Sequence, residues 1–241
     1  VTTNPLADRP LPDRAAYDRT RRGLHALAEQ VLSPEAYRHT GRIGLRPAPC
    51  AISTPWVIVD GAKRCARIEG TGVVVIVGEE RTAEPVTTVR AAAALVGVEP
   101  GAPPVYSPAT PVDLDRPIEL DEEAVSIVTD WYCFGDAALD RILAVRRELH
   151  SVEPILWPEH FDLAVTVPDD IRGEIVVGVS PGDDADPDPY AYVAWHGPSG
   201  PGSRPPDEWW NRTWGRWVPA SEVATVEDLV DLFEEGLQRV R

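Results

Sequence analysis

Between Ile43 and Val86 the chain is written in short β-prone runs separated by glycine turns, and that punctuation constrains its fold more than any other feature. Gly44-Leu45-Arg46, Trp56 to Val59, Lys63 to Ile68 and Val73 to Val77 are parted by Asp60-Gly61 and Glu69-Gly70-Thr71-Gly72. Such turns reverse a chain within two to four residues, so the region predicts an antiparallel sheet. A second group of strand-like runs, Leu163 to Val167, Glu174 to Val179 and Tyr190 to Trp195, follows in the last third.

Helical grammar surrounds both groups. Asp13 caps a helix to about Val31 with Tyr17, Leu24, Leu27 and Val31 on one face, and Ser33-Pro34-Glu35 opens a short second helix. Thr88 caps an alanine-rich helix that ends at Gly97. Asp121-Glu122-Glu123 starts another, which the pattern breaks at Gly135-Asp136. Thr225 caps a last helix bearing Val226, Leu229, Val230, Phe233, Leu237 and Val240. Strands bunched in two groups among helices, without strand–helix alternation, predict an α+β fold of antiparallel sheets packed against several helices. The expectation is one compact unit over 1–241, with the Pro- and Asp-rich connection 98–120 as the candidate subdomain boundary.

Apolar residues make up 43% of the chain, enough for a buried core, and the formal net charge is −16. The first fifty residues carry a local excess of +3, which leaves −19 for the rest. An acidic surface repels phosphate backbones, so nucleic acid is not expected as a partner. No run approaches the ~20 apolar residues of a membrane helix, so no membrane partner is expected. Cys50, Cys65 and Cys133 are odd in number and widely spaced, which fits reduced thiols. These features predict a cytoplasmic protein. A composition poor in lysine (Lys63 alone) and rich in Ala, Pro and Gly is that of a GC-rich bacterial genome.

Three motifs fail on their surroundings. Gly178-Val179-Ser180-Pro181-Gly182 has the string of a nucleophile elbow, but no helix can start among the prolines and aspartates that follow. Gly70-Thr71-Gly72 precedes a strand rather than a helix, so it is a hairpin turn. Asp184, Asp186 and Asp188 are spaced like the start of a calcium loop, yet Pro189 stands where the turn needs Gly.

The string Glu159-His160-Phe161-Asp162 is different. Read as strand, it puts His160 and Asp162 on one face; Tyr192 and His196 share a face of the later strand. Antiparallel pairing would gather these four into a polar cluster for a ligand, a divalent metal or a proton. For a metal the candidate ligands are His160, Asp162 and His196. Trp157 and Trp210 are candidate walls and Glu159 a further polar contact. Trp210, Trp214 and Trp217 have helical spacing, which predicts one buried face.

The segments Trp157-Pro158-Glu159-His160-Phe161-Asp162, Ser180-Pro181-Gly182-Asp183 and Pro189-Tyr190-Ala191-Tyr192-Val193 resemble an uncharacterised bacterial protein family of unknown function. The resemblance implies one architecture over these segments and carries no activity, cofactor or catalytic residue. The leading expectation is a protein that binds a small molecule or a protein partner, with its pocket in 157–217. The alternatives are a metal-dependent hydrolase using His160, Asp162 and His196, and a structural or interaction protein without a pocket.

Overall fold

The computed structural model describes residues 2–7, 9, 13–108, 112–146, 149, 152–169, 173–197, 200–201 and 208–239. The chain forms two compact units: an N-terminal unit of Pro10–Asp130 with Leu156–Phe161, and a C-terminal unit of Val1–Arg9, Trp131–Ile155 and Asp162–Arg241. Each contains an antiparallel sheet with helices against it, the expected α+β class. The connection 98–120 lies wholly inside the N-terminal unit.

The N-terminal unit opens with α1 (Arg14–Leu27), capped by Asp13, whose carboxylate accepts from the Ala16 amide. The expected break before Pro34 is absent. The helix continues through a π turn over Ala28–Leu32 into α2 (Ser33–Thr40). Proline explains the π turn. Pro34 has no N–H to offer the Gln30 carbonyl, and its ring would crowd that oxygen in a regular helix. The Ser33 amide bonds instead to Ala28, five residues back, and the Gln30 oxygen accepts from the Gly101 amide at 3.1 Å. The Ser33 amide and the Gln30 carbonyl, both displaced by the proline, thus find partners.

The sheet of this unit comprises β1 (Arg46–Ala48), β2 (Ala51–Ser53), β3 (Val57–Val59), β4 (Ala62–Glu69), β5 (Gly72–Val77) and β6 (Glu80–Pro85). Its order is β1-β2-β4-β5-β6, with β3 also against β4. Asp60 and Gly61, both at positive φ, make the β3–β4 turn. β2 and β6 were not expected: β6 is exposed along its whole length and shows no apolar alternation. Arg64 on β4 ties three elements together, with Nε 2.7 Å from Glu35 on α2 and Nη2 2.7 Å from the Val96 carbonyl. That carbonyl and Gly97 O, bonded by Arg38 Nη1 at 2.6 Å, close the end of α3 (Val89–Val96). Two guanidinium groups thereby satisfy helix-terminal oxygens that have no partner of their own.

After the short β7 (Ile155–Trp157), β8 (Asp162–Asp169), β9 (Gly173–Ser180) and β10 (Tyr190–Gly197) form the heart of the C-terminal unit's sheet. The free side of β10 pairs with β11 (Gly200–Pro201) at one end and β12 (Gly215–Pro219) at the other. Side chains alternate as a pleat requires. The row Val165–Val177–Val193 and its neighbours Leu163, Val179 and Ala191 make the apolar face. The C-terminal part of α4 (Glu122–Val145) and the whole of α5 (Val226–Arg239) cover it.

Glycines make the approach of both helices close. A Cβ at Gly135 would stand 2.3 Å from Val179 Cγ2, and one at Gly236 2.6 Å from Val193 Cγ1. Gly135 therefore does not break α4 as expected: it is the contact at which helix meets sheet, and Asp136 lies in the helix interior. Thr225 and Asp228 form a capping box on α5, the hydroxyl accepting from the Asp228 amide and the carboxylate from the Thr225 amide at 2.8 Å. Val240, the last position of the α5 stripe, lies outside the described residues. No helix among the described residues is long and apolar enough to cross a membrane.

Candidate functional site

The opposite face of the C-terminal sheet carries aromatic and acidic side chains. The row Ala164–Gly178–Tyr192–Trp217 crosses four strands on this face, with Asp162, Ser180 and Tyr190 one pleat further along. Asp162 on β8 and Tyr192 on β10 are about 10 Å apart, two strand spacings. They nevertheless meet, the Tyr192 hydroxyl donating to Asp162 Oδ2. Gly178 lies directly between β8 and the Tyr192 position. It has no side chain, and a Cβ there would fall 2.5 Å from the Leu163 carbonyl oxygen.

Both partners are buried, Asp162 with 8% and Tyr192 with 7% of their surface exposed. Burial above all, and then the Asp162 carboxylate, hold the Tyr192 phenol well above the ordinary tyrosine range. It therefore stays protonated and serves as a fixed donor. Tyr190 next to it is also raised, first by burial, with Asp183 and Asp162 adding to the effect. Its hydroxyl donates to Asp183 Oδ2 at 2.9 Å.

Two loops bring further side chains to this face. In the loop after β9, Asp183 Oδ1 accepts from the Ala185 and Asp186 amides, and Ser180 Oγ accepts from the Gly182 amide at 3.1 Å. The Gly178–Gly182 string is thus the end of a strand and a turn, and no helix follows it. From the segment before β12, Trp214 stands edge-on to Tyr192 at 6.1 Å between ring centroids. Arg212 lies over the Trp217 ring at 4.7 Å and pairs with Asp186 at 3.2 Å. The helix inferred from the tryptophan spacing does not exist: Trp209 and Trp214 lie in bends, Trp210 in irregular chain between them and Trp217 on β12. Asn211 stabilises this arrangement, bonding both the amide and the carbonyl of Trp217.

The seven residues picked from the sequence divide between the units. Asp162, Tyr192, His196 and Trp210 lie in the C-terminal unit, and only Asp162 and Tyr192 come together. His196 pairs with Glu174 and so lies level with Pro168, six residues along β8 from Asp162, or about 20 Å. Its Nδ1 is 2.9 Å from Glu174 Oε1 instead. Trp210 is buried against Trp209. Among the described residues no three His, Cys, Asp or Glu side chains are grouped to hold a metal ion.

Trp157, Glu159 and His160 belong to the N-terminal unit. His160 is exposed in a turn rather than on a strand. The turn is closed by the Phe161 amide bonding to the Trp157 carbonyl at 2.8 Å, and Phe161 takes a φ of +53°. A bulky side chain there costs about 1 kcal/mol or more. The buried Phe161 ring is stacked at 5.0 Å and 11° on the imidazole of His25, a contact that offsets the strain.

His25 belongs to a polar group that sequence reading missed. Its Nε2 lies 2.9 Å from the Pro158 carbonyl and 3.7 Å from Glu29 Oε2. Glu29 is 2% exposed and Ser33 fully buried. The spacing of four between His25, Glu29 and Ser33 was the available signal, hidden by the reading of two separate helices.

No family model, no curated protein and no solved structure matches the chain.

Proposed function

We propose that this chain is a small-molecule binding protein whose ligand is held on the aromatic face of the C-terminal sheet, within residues 162–217. The observation that carries the reading is the buried Tyr192–Asp162 pair, formed across the lane that Gly178 leaves open. Ligand sites combine apolar walls with a few oriented polar groups. Here Tyr190, Trp214 and Trp217 supply flat walls, and Asp162 with the Tyr192 phenol supplies the polar end. Helices cover the other face of the sheet, whereas the side chains meeting this one come from loops, which can open for a guest at lower cost than packed helices.

The test is a metabolite screen by thermal shift, with hits titrated by tryptophan fluorescence, since Trp214 and Trp217 would report on a guest. Tyr192→Phe and Asp162→Asn are expected to bind a true hit about tenfold or more weakly, the loss of one hydrogen bond to a charged group. A hit whose affinity is the same in both variants would place the ligand elsewhere and overturn the reading.

A further inference from the structure

Arg212 covers one end of the aromatic face and is held loosely there. Its guanidinium stands 4.7 Å from the centre of the Trp217 ring. Its Nη2 reaches Asp186 Oδ1 at 3.2 Å and its Nη1 the Asn211 carbonyl at 3.4 Å. Both contacts are longer than the ~2.7–2.9 Å of a good charge-assisted bond. The side chain is 37% exposed, so water competes for its donors and its rotamers are little restricted.

What lies beneath it is fixed. The Asp186 amide donates to Asp183 Oδ1 at 2.8 Å, and its carbonyl accepts from the Asp183 amide at 2.9 Å. The same loop is drawn so tight that a Cβ at Gly182 would stand 2.5 Å from the Pro187 carbonyl oxygen. Asn211 holds Trp217 by both its amide and its carbonyl, each at 2.9 Å. Neither the ring nor the carboxylate depends on Arg212 for its place. Together they form a ready-made cation site whose present occupant is tethered and weakly bound.

The charge of the face agrees. Asp162, Asp183 and Asp186 bring three carboxylates to it, and Tyr192 and Tyr190 meet the first two as neutral hydroxyl donors. The aromatic rings add the negative potential of their π faces. The surface is also continuous: Trp217 to Tyr190 is 6.0 Å and Tyr190 to Tyr192 6.1 Å between centroids. It leads from the Arg212 position to the Tyr192–Asp162 pair.

We infer, resting on the sheet-face reading, that the ligand is a small organic cation bearing a guanidinium group, which displaces Arg212 from Trp217 and Asp186. A guanidinium lays its flat face on the ring while its N–H edge bonds the carboxylate, as Arg212 does. A quaternary ammonium would satisfy the ring but has no N–H for Asp186. An anion would meet three carboxylates. The rest of the ligand extends along Tyr190 toward Tyr192.

The experiment titrates the full chain by calorimetry with n-propylguanidinium, its neutral isostere n-propylurea, tetramethylammonium and butyrate. Saturable binding of n-propylguanidinium is expected, and about tenfold tighter binding in Arg212→Ala, which removes the tethered competitor. In that background Asp186→Asn and Trp217→Leu are each expected to weaken it about tenfold. Asp186→Asn, in a part-exposed loop side chain, carries the test should Trp217→Leu fail to fold. Trp209→Leu is the control, because Arg216 and Arg239 lie over that ring outside the row of the sheet face. Loss of binding in Arg212→Ala would overturn the proposal, since Arg212 would then be a ligand contact rather than a stand-in. So would equal binding of n-propylurea, tetramethylammonium or butyrate, affinity unchanged in the Asp186 and Trp217 variants, or no binding of n-propylguanidinium even in Arg212→Ala. A neutral or anionic screening hit that is weakened by Tyr192→Phe and Asp162→Asn but indifferent to Arg212→Ala would overturn the cation assignment alone and leave the sheet-face reading standing.

Discussion

A Cβ on residue 178 would stand 2.5 Å from the Leu163 carbonyl oxygen and 2.8 Å from the Ala164 Cβ. At residue 135 the nearest obstacle is the Val179 side chain, at 2.3 Å. The two clashes differ in what can move. Backbone in the middle of a three-strand ladder cannot yield without breaking its register, whereas a valine side chain can shift with the helix above it. Alanine also gains about 1 kcal/mol over glycine in a helix interior. Gly178→Ala is therefore expected to cost about 3 kcal/mol in chemical denaturation and Gly135→Ala about 1–2 kcal/mol. Equal losses would show that the ladder at Gly178 relaxes. Neither role was legible in the sequence. Gly135 reads locally as a helix breaker, and only its neighbour across the unit, Val179, reveals that it is a point of close approach.

Caps and turns were the most legible elements, because they are decided by residues within a few positions of one another. Asp13, Thr88 and Thr225 cap their helices as expected, and Asp60-Gly61 turns its hairpin. β6 was hidden because Glu80–Pro85 has no apolar alternation and is held by the register of β5 alone. The tryptophans misled because spacings of three and four also arise by chance along a bend and a strand. The π turn belongs to this scale as well. Pro34→Ala would restore a donor for the Gln30 carbonyl and let the helix return to regular register. The Gly101 amide is then expected to exchange with solvent about tenfold faster, the loss of one modest hydrogen bond, measured by hydrogen exchange. Unchanged protection at Gly101 would show that packing, not the proline, imposes the π turn.

At the scale of the whole molecule, burial raises the phenols of Tyr106 in the N-terminal unit and of Tyr190 and Tyr192 in the C-terminal unit above the ordinary value of 10.0. Burial is the leading cause in each. The stability linked to them is fully present below pH 10.0. Above it the unfolded chain releases phenolic protons that the folded chain retains, so stability falls as pH rises toward the folded values. The melting temperature is expected to drop between about pH 9 and pH 11, and less steeply in Tyr190→Phe and Tyr106→Phe. A drop of the same steepness in both variants would assign alkaline unfolding to other groups. The α+β class was readable from local patterns, and strand faces pointed to the meeting of Asp162 with Tyr192, although they added His160 and His196, which lie elsewhere. The grouping of His25 and Glu29 with Pro158 and Phe161 was not readable, because it joins residues distant in the chain. The bond between Gln30 and Gly101 also has a consequence in time. The turns of α1 up to Leu27 can form as a local event, but the π turn is completed only once the β1–β6 hairpins and α3 have brought residue 101 back. The longest helical stretch of the N-terminal unit thus begins as an early, local structure and finishes as a late one, on the schedule of the sheet it packs against.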